Sequence, residues 1–213
     1  MQDNTILTIT GSDPTGESGI QADIKYISEL GLTAVSAITT VTLQNTLGIQ
    51  EFHDLPASVV GGQIEALVND VQPKVVKIGM MRRVETIQTV VEALRRYTPA
   101  FVVYDPVLFS SRGDRLMGDE ALGIVRRRLF PFCSVIVVRR HEAHALLGDM
   151  VPGNVCFIDD FIVKDIERQL SKTGKTILEI AQGLGFSSQA HLSRFFKNIV
   201  GKSPSEYRTW KTE

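Results

Sequence analysis

The stretch TILTITGSDPTGESGIQADIKYISELGLTAVSAITTV, residues 5–41, decides the fold of the longer part of this 213-residue chain. Thr5–Thr10 is a β-branched run that predicts a buried strand, and residues 11–19 are rich in turn formers. A helix is predicted next, because apolar side chains recur at helical spacing at Ile20, Ile24, Ile27 and Leu30. Ala34–Val41 predicts a second apolar strand. The unit is therefore strand, loop, helix and strand.

The same alternation continues along the chain. Further strands are predicted at Val75–Gly79, Phe101–Tyr104 and Val135–Val138, and helices at Ala57–Asn69, Val84–Tyr97, Asp119–Leu129 and His141–Leu147. Apolar strands that alternate with amphipathic helices predict an α/β fold, with a parallel sheet covered by helices on both faces. Ligands of such sheets bind at the carboxyl ends of the strands. Those ends hold Gly11, Asp13, Gln44, Gly79, Met80 and Asp105.

Residues 11–23, GSDPTGESGIQAD, resemble the signature of hydroxymethylpyrimidine and phosphomethylpyrimidine kinases, which have the ribokinase-like fold and act in thiamine biosynthesis. Further matching blocks are QNT at 44–46, KIGM at 77–80, DPV at 105–107, SRGDRL at 111–116 and EA at 142–143. The resemblance covers about the first 148 residues, and its motifs are specific.

The resemblance implies a set of pyrimidine-binding residues. It implies that Gln44 pairs with the aminopyrimidine, and a planar carboxamide with one acceptor and two donors suits an amino group beside a ring nitrogen. It further implies that Met80 and Val107 contact the ring, that Gly11 lets the ring approach closely, and that Asp23 meets the hydroxymethyl group. Gly79, at a strand end, completes the expected ligand-binding set.

Part of the family's phosphoryl-transfer machinery is not recognisable in the sequence. The resemblance calls for a Gly-rich anion loop that opens a helix, whose amides stabilise the transferring phosphoryl group. No such loop follows Gly148, and Arg139 aligns with the family's strand-end Asn near the phosphates. The glycines at 11, 16 and 19 are no P-loop, because no Lys-Ser/Thr pair follows them. We therefore predict no catalytic residues.

The stretch TILEIAQGLGFSSQAHLSRFFKNIVGKSPSEYRTW, residues 176–210, predicts a second domain. Thr176 and Glu179 fit a capping box, and Gly185 can end the first helix in a tight turn. The next helix has an apolar stripe at Leu192, Phe195, Phe196 and Ile199. Two short helices with a Gly-containing turn fit a helix-turn-helix, and the spacing alone fits an ordinary αα-hairpin equally well.

Residues 180–208 resemble the second helix-turn-helix of AraC/XylS-type transcription regulators, a family that normally carries two such units; only one is recognisable here. The resemblance implies DNA binding. Gln suits adenine and Arg suits guanine, so the candidates for contacts near bases or phosphates are Ser188, Gln189, His191 and Arg194. Ser187 and Lys202 are expected to contact phosphates.

Composition and charge agree with this organisation. The chain is 43% hydrophobic and 22% charged, as is typical of a globular protein. Residues 161–213 contain nine Lys/Arg and five Asp/Glu, whereas the preceding residues contain 14 and 19. A basic tail suits a module that approaches a polyanion. No signal peptide or membrane-spanning run is visible, and Cys133 and Cys156 show no paired spacing, so a cytoplasmic location is expected.

Together these features predict two domains: a pyrimidine-kinase-like ligand-binding domain at residues 1–150 and a helix-turn-helix domain at 158–213. The helix expected at Asp159–Leu170 fits either domain. We predict a ligand-responsive transcription regulator that binds hydroxymethylpyrimidine or its phosphate, and that binds double-stranded DNA as a homodimer without membrane association. The sequence does not distinguish these ligands from a related ring such as a vitamin B6 vitamer. No cofactor is expected, and no metal, because His141 and His144 lack a third ligand.

Two alternatives stay open. The first is an active kinase, which requires Mg²⁺ and ATP. The second is a protein-interaction module in which the helix pair serves dimerisation.

Overall fold

The computed structural model describes residues 4–45, 47–110, 113–139, 142–147, 155–184 and 186–212. The expected turn at Gly185 and the position of His141 lie outside these ranges. The chain forms two compact units, Met1–Cys156 and Phe157–Glu213. The first unit contains the αβ alternation that the sequence predicts, and the second contains helices.

A seven-stranded sheet forms the centre of the α/β part, in the order β3-β2-β1-β4-β5-β6-β7. Strands β1, β2, β4, β5 and β6 run parallel to one another, as predicted. The bounds of the seven strands are β1 Thr5–Ser12, β2 Thr33–Asn45, β3 Gly48–Asp54, β4 Val75–Ile78, β5 Phe101–Tyr104, β6 Val135–Val138 and β7 Val155–Phe157.

Strand β3, which the sequence pattern did not predict, pairs antiparallel with β2. Strand β2 continues to Asn45, beyond the end that its apolar pattern predicted. Val41 is the last residue of β2 that pairs with β1, and beyond it β2 is paired only with β3, up to Asn45↔Gly48. This hairpin carries Gln44 and Ile49 to the carboxyl edge of the sheet.

The α-helices of this part are α1 Gly19–Glu29, α2 Ala57–Val71, α3 Val84–Tyr97, α4 Asp119–Ile124 and α5 Ala143–Leu147. Helix α1 packs on β1 and β2, α2 packs on β2, and α3 packs on α2. The predicted helix at Asp119–Leu129 is confirmed, and its second half, Val125–Leu129, is a π-helix followed by a 3-10 turn. Pro131 lies in that turn and cannot continue α-helical hydrogen bonds. Residues on several strands, among them Leu7, Ile9, Ile78, Val102 and Ile136, are at most 2% exposed and form the core.

The second unit consists of α6 Ile158–Lys172, α7 Ile177–Gly183, α8 Gln189–Val200 and α9 Pro204–Thr212. The capping box at α7 is confirmed: the Glu179 amide donates to Thr176 Oγ1 at 3.2 Å, and the Thr176 amide donates to Glu179 Oε2 at 2.7 Å. Helix α6 packs with α7–α9, in a core of Val163, Ile166, Leu170, Ile180, Ala181, Leu192, Phe196 and Tyr207. The sequence left open which of the two domains contains the helix expected at Asp159–Leu170. In the structure this helix, α6, belongs to the helix-turn-helix unit.

Within the described ranges, no helix has the length and apolar character needed to cross a membrane.

Candidate ligand cavity and helix-turn-helix surface

A cavity of about 260 Å³ opens at the carboxyl edge of the sheet. Its walls come from the ends of β1, β2 and β6, the start of α1, the β3 hairpin and the segments after β4 and β5. The lining residues are Thr10, Gly11, Ser12, Asp13, Ser18, Gly19, Thr42, Gln44, Ile49, Met80, Val107, Phe109, Ser110, Leu116 and Arg139. The cavity therefore lies where ligands of parallel α/β sheets bind.

Four of the six residues expected to bind pyrimidine line this cavity: Gly11, Gln44, Met80 and Val107. Gln44 is half-buried, and the Thr42 hydroxyl lies 3.4 Å from its Oε1. The same hydroxyl donates to the backbone carbonyl of Ser12 at 2.9 Å. A carboxamide thus stands beside apolar side chains in one concave site, which is the combination that orients a flat polar ring.

Position 11 accommodates only a glycine without rearrangement, because Met80 packs directly over it. A Cβ added at Gly11 would lie 2.4 Å from Met80 Cε. The backbone of Met80 is held on both sides, since its amide donates to Thr10 Oγ1 and its carbonyl accepts from Thr39 Oγ1, each at 2.8 Å. Only the thioether end of Met80 can therefore adjust to a larger residue or to a ring.

Gly79 and Asp23 are not part of the described lining. A Cβ at Gly79 would lie 2.3 Å from Thr10 Oγ1, so this glycine permits close packing between neighbouring strands. Asp23 accepts two hydrogen bonds from Lys77 Nζ, at 2.9 and 3.0 Å, and another from the Thr8 hydroxyl. Lys77 also lies 3.5 Å from Asp105. Asp23 therefore belongs to a polar cluster with Lys77 and Thr8, and other residues line the cavity.

The loop between β1 and α1 is organised by the buried carboxylate of Asp13, which is 3% exposed. It accepts from the amide and hydroxyl of Thr15 at 2.9 and 2.8 Å, and from the amide and hydroxyl of Ser18 at 3.1 and 2.7 Å. Burial alone would raise the pKa of Asp13, but the hydrogen bonds from Ser18 and Thr15 outweigh it and the pKa lies below its usual value. Asp13 therefore stays ionised and holds the loop against the cavity.

The sequence did not identify several of the lining residues as ligand contacts. Ile49 was missed because strand β3 was missed, and Phe109 because it follows no strand directly. Arg139 was noted only as a replacement in the family pattern, although it comes directly after β6. The rule that assigns strand ends to a ligand site would have found Arg139.

The second unit presents the N-terminal part of α8 to solvent. Ser188 caps this helix, and its hydroxyl accepts from the His191 amide at 3.1 Å. The Ser187 hydroxyl lies 3.0 Å from His191 Nδ1, so the imidazole is oriented from the preceding turn. Phe186 packs edge-on against His191 at 5.2 Å and against Phe195 at 5.3 Å, which closes the corner between the two helices.

The predicted DNA contacts are all exposed on this unit. Arg194 is two residues from both Leu192 and Phe196, which are 0% exposed. At about 100° per residue, its side chain therefore projects from the face opposite the core. Gln189 is the first residue of α8. Lys202 follows α8 and lies 5.6 Å from the ring of Trp210. The arrangement leaves a polar helix face with positive charge outside the packed core.

The described ranges contain no group of three or more His, Cys, Asp or Glu side chains that could hold a metal ion.

The sheet order, the cavity at its carboxyl edge and the four-helix second unit define a ribokinase-like α/β protein joined to a helix-turn-helix. A family model for phosphomethylpyrimidine kinase matches residues 13–178, and one for a helix-turn-helix domain matches residues 155–209. This chain therefore belongs to the phosphomethylpyrimidine kinase family and carries an AraC-type helix-turn-helix domain.

Individual relatives agree with the family match. A hydroxymethylpyrimidine/phosphomethylpyrimidine kinase of Haemophilus influenzae is 36% identical, over 88% of this chain and 67% of its own length. The crystal structure of a phosphomethylpyrimidine kinase from Clostridium difficile 630 superposes with a TM-score of 0.64 at 33% identity, covering 84% of this chain and 69% of that one. A pyridoxal kinase from Staphylococcus aureus, in complex with pyridoxal, has a TM-score of 0.61 at 26% identity, covering 74% of this chain and 56% of that one. The matched part of the chain covers 67% of the length of the first of these curated relatives and 52% of the length of the second.

Proposed function

We propose that this protein is a ligand-responsive transcription regulator. Its kinase-like unit binds hydroxymethylpyrimidine or its phosphate, and its helix-turn-helix unit binds double-stranded DNA. The observation that carries the proposal is the presence, in one chain, of a cavity walled by Gln44, Met80 and Val107 and of a helix-turn-helix with an exposed polar face on α8. The proposal needs no cofactor.

The chemistry of the cavity supports a pyrimidine ligand. The carboxamide of Gln44 offers one acceptor and two donors, which match an amino group beside a ring nitrogen. Met80 and Val107 offer apolar surface for the faces of the ring, and the absence of a side chain at Gly11 lets the thioether of Met80 pack beside it. The curated relatives are named as hydroxymethylpyrimidine/phosphomethylpyrimidine kinases, which supports the same ring as the ligand of this chain.

Regulation requires that the ligand bind two states of the protein with different affinity. By linkage, a ligand that changes the affinity for DNA must have its own affinity changed by DNA to the same extent. A single helix-turn-helix reads a short half-site, so the proposal includes a homodimer on paired half-sites. Light scattering of the full chain with and without a bound duplex measures that stoichiometry.

Calorimetry of the full chain with hydroxymethylpyrimidine tests the sensor part of the proposal. We expect saturable heat with the wild-type protein, and a reduction of about 10-fold or more in affinity for Gln44→Ala, because the ring nitrogen and amino group lose their partner. Gln50→Ala is the matched control, since Gln50 is exposed on β3 and outside the lining. An absence of heat with the wild-type protein refutes the sensor, and equal affinity in Gln44→Ala removes the role of that residue.

Selection from a random-sequence duplex library, followed by mobility-shift titration, tests the DNA part. We expect Arg194→Ala to weaken binding to the selected duplex by about 1–3 kcal/mol if Arg194 reads a base. Arg168→Ala is the control with the same loss of charge, because Arg168 pairs with Asp165 on α6. Unchanged affinity in Arg194→Ala removes the assignment. If the wild-type chain binds no duplex even at low salt, the helix pair is a protein-interaction module.

A second candidate function is kinase activity, favoured by the names of the relatives. Under this alternative Mg²⁺ and ATP are required. A coupled assay of ADP release with hydroxymethylpyrimidine and Mg-ATP separates the two functions, because sustained turnover refutes binding without catalysis. The same titrations with pyridoxal test a ligand related to vitamin B6, since the similar Staphylococcus aureus structure contains pyridoxal.

A further inference from the structure

The positive charge of the helix-turn-helix unit is concentrated on α8, α9 and the turn between them. Residues 187–212 contain five Lys/Arg and one acidic residue, Glu206, whereas α6 contains four acidic residues and three Lys/Arg. Three of the cationic side chains are exposed lysines that we call the basic strip: Lys197, Lys202 and Lys211. Lys202 is expected to contact phosphate, and the other two lysines have no role in the function proposed above.

Glu206 does not neutralise the basic strip. Its Oε2 accepts from the Ser203 amide at 2.6 Å, and its own amide donates to the Ser203 hydroxyl at 3.3 Å, as in a capping box. Hydrogen bonds from Ser203 hold the pKa of Glu206 below its usual value, and the positive charges of Lys197 and Lys202 lower it further. One carboxylate therefore lies near two lysines, and their net charge stays positive.

The exposed ring of Trp210 positions the other end of the basic strip. Lys202 Nζ lies 5.6 Å from the ring centroid and Lys211 Nζ lies 5.1 Å from it. Cation–π attraction at these distances holds an ammonium group near the ring without using its three N–H donors. Lys202 is close both to Glu206 and to Trp210, so the basic strip is continuous from α8 to the end of α9.

Arg208 shows how a cation of the same helix is used when its role is structural. Its guanidinium donates to the backbone carbonyls of Leu170 and Lys175, at 3.3 and 2.6 Å, and so connects α9 to the end of α6. Among the residues that the structure describes, the ammonium groups of the basic strip donate no such hydrogen bond to the protein. Their donors are therefore available to an external anion.

The basic strip continues the surface of α8 that carries the predicted DNA contacts. Lys197 is exposed and lies three residues after Arg194, so the two side chains are neighbours on the same face of α8. Double-stranded DNA carries one negative charge per about 1.7 Å of its axis, so a duplex bound at α8 offers phosphates to cations beside that helix. A lysine ammonium binds phosphate as a point charge and reads no sequence.

We propose that the basic strip binds backbone phosphates that flank the base pairs read by α8, and so extends the DNA contact of this unit to the end of α9. The inference rests on the proposed DNA-binding function. It assigns Lys197 and Lys211 to the DNA surface and gives Trp210 a positioning role, because its ring holds two of the three ammonium groups.

The salt dependence of DNA binding tests the inference. In mobility-shift titrations of the full chain with the selected duplex, the slope of log K against log[salt] should become shallower by about 0.9 for each lysine of the strip changed to Gln, and by about 2.7 for all three. The triple variant should lose affinity by the same factor for the selected duplex and for an unrelated one, because phosphate contacts carry no sequence information.

Two control variants accompany this measurement. Replacing the three lysines of the strip by Arg keeps their charge and should keep the wild-type slope. Lys164→Gln removes an exposed lysine of α6, outside the strip, and should also keep it. Because all the replaced side chains are exposed, each variant should fold, and thermal melting by circular dichroism checks this.

Fluorescence of Trp210, the single tryptophan of the chain, gives a second readout. One duplex ends at the last selected base pair, and another is extended by about one helical turn, roughly 10 base pairs, at each end. We expect the extended duplex to bind more tightly and to change the emission of Trp210, since its phosphates approach the ring. The triple Gln variant should bind both duplexes with equal affinity.

The outcomes separate the inference from the function on which it rests. If the triple Gln variant keeps the wild-type slope, or if the wild-type chain binds both duplexes equally without a change at Trp210, the basic strip does not bind DNA and base reading by α8 stands. A loss of affinity confined to the selected duplex also overturns the inference. If the wild-type chain binds no duplex, the proposed DNA-binding function fails and the inference fails with it.

Discussion

Substitution of Phe196 by Ala tests how the helix-turn-helix unit is held together. Phe196 is 0% exposed and packs edge-on against Tyr207, with ring centroids 5.4 Å apart. Replacing a fully buried Phe by Ala costs about 3–5 kcal/mol, because the apolar contacts are lost and a cavity remains. Typical stabilities of about 0.05–0.15 kcal/mol per residue give the whole Phe157–Glu213 unit only roughly 3–9 kcal/mol. The substitution therefore removes a large part of the stability of this unit.

The chain contains a convenient probe for this experiment. Trp210 is the single tryptophan of the sequence, and it contacts Tyr207 with ring centroids 5.8 Å apart. Its fluorescence therefore reports unfolding of the helix-turn-helix unit. At about 4–8 °C per kcal/mol for a small domain, we expect Phe196→Ala to lower the fluorescence-detected Tm by at least about 12 °C.

The matched control is Phe161→Ala on α6, since Phe161 belongs to the same unit but is 54% exposed. Substitutions at such positions change stability by about 0.5 kcal/mol or less, so this variant should melt close to the wild type. A fall in Tm for Phe196→Ala that is no larger than that of Phe161→Ala would refute the packing on which the reasoning depends.

Two other predictions concern the caps and the loop. Thr176→Ala should destabilise the helix-turn-helix unit by about 1 kcal/mol in urea denaturation followed by Trp210 fluorescence, because the Glu179 amide loses its acceptor, whereas Thr176→Ser should restore it. Asp13→Asn should lower the Tm at neutral pH, measured by circular dichroism. Burial raises the pKa of Asp13, but hydrogen bonds lower it further, so that it lies below 3.8. The carboxylate of Asp13 therefore stabilises the folded unit above that pH. This stabilisation is lost as the pH falls through the folded-state pKa. The difference between Asp13→Asn and the wild type should therefore shrink below about pH 4; a constant difference would contradict the assignment.

Much of the fold follows from local pattern. The strand at Phe101–Tyr104, the helix at Val84–Tyr97 and the strand at Val135–Val138 have the bounds that their apolar spacing predicts. The capping box at Thr176 is another local feature, since it joins residues three apart. Such signals depend on spacings of two to four residues, which are written directly in the sequence.

The sequence by itself determined the class of fold, the edge of the sheet that holds the cavity and the second helical unit, because each depends on periodicity and on strand ends. Only the tertiary structure decided which side chains share a site. It paired Asp23 with Lys77, 54 residues further along the chain, and it placed Arg139 in the lining of the same cavity as Gly11 and Gln44. Those placements depend on strand order and register, which are set by packing of the whole sheet rather than by any local spacing.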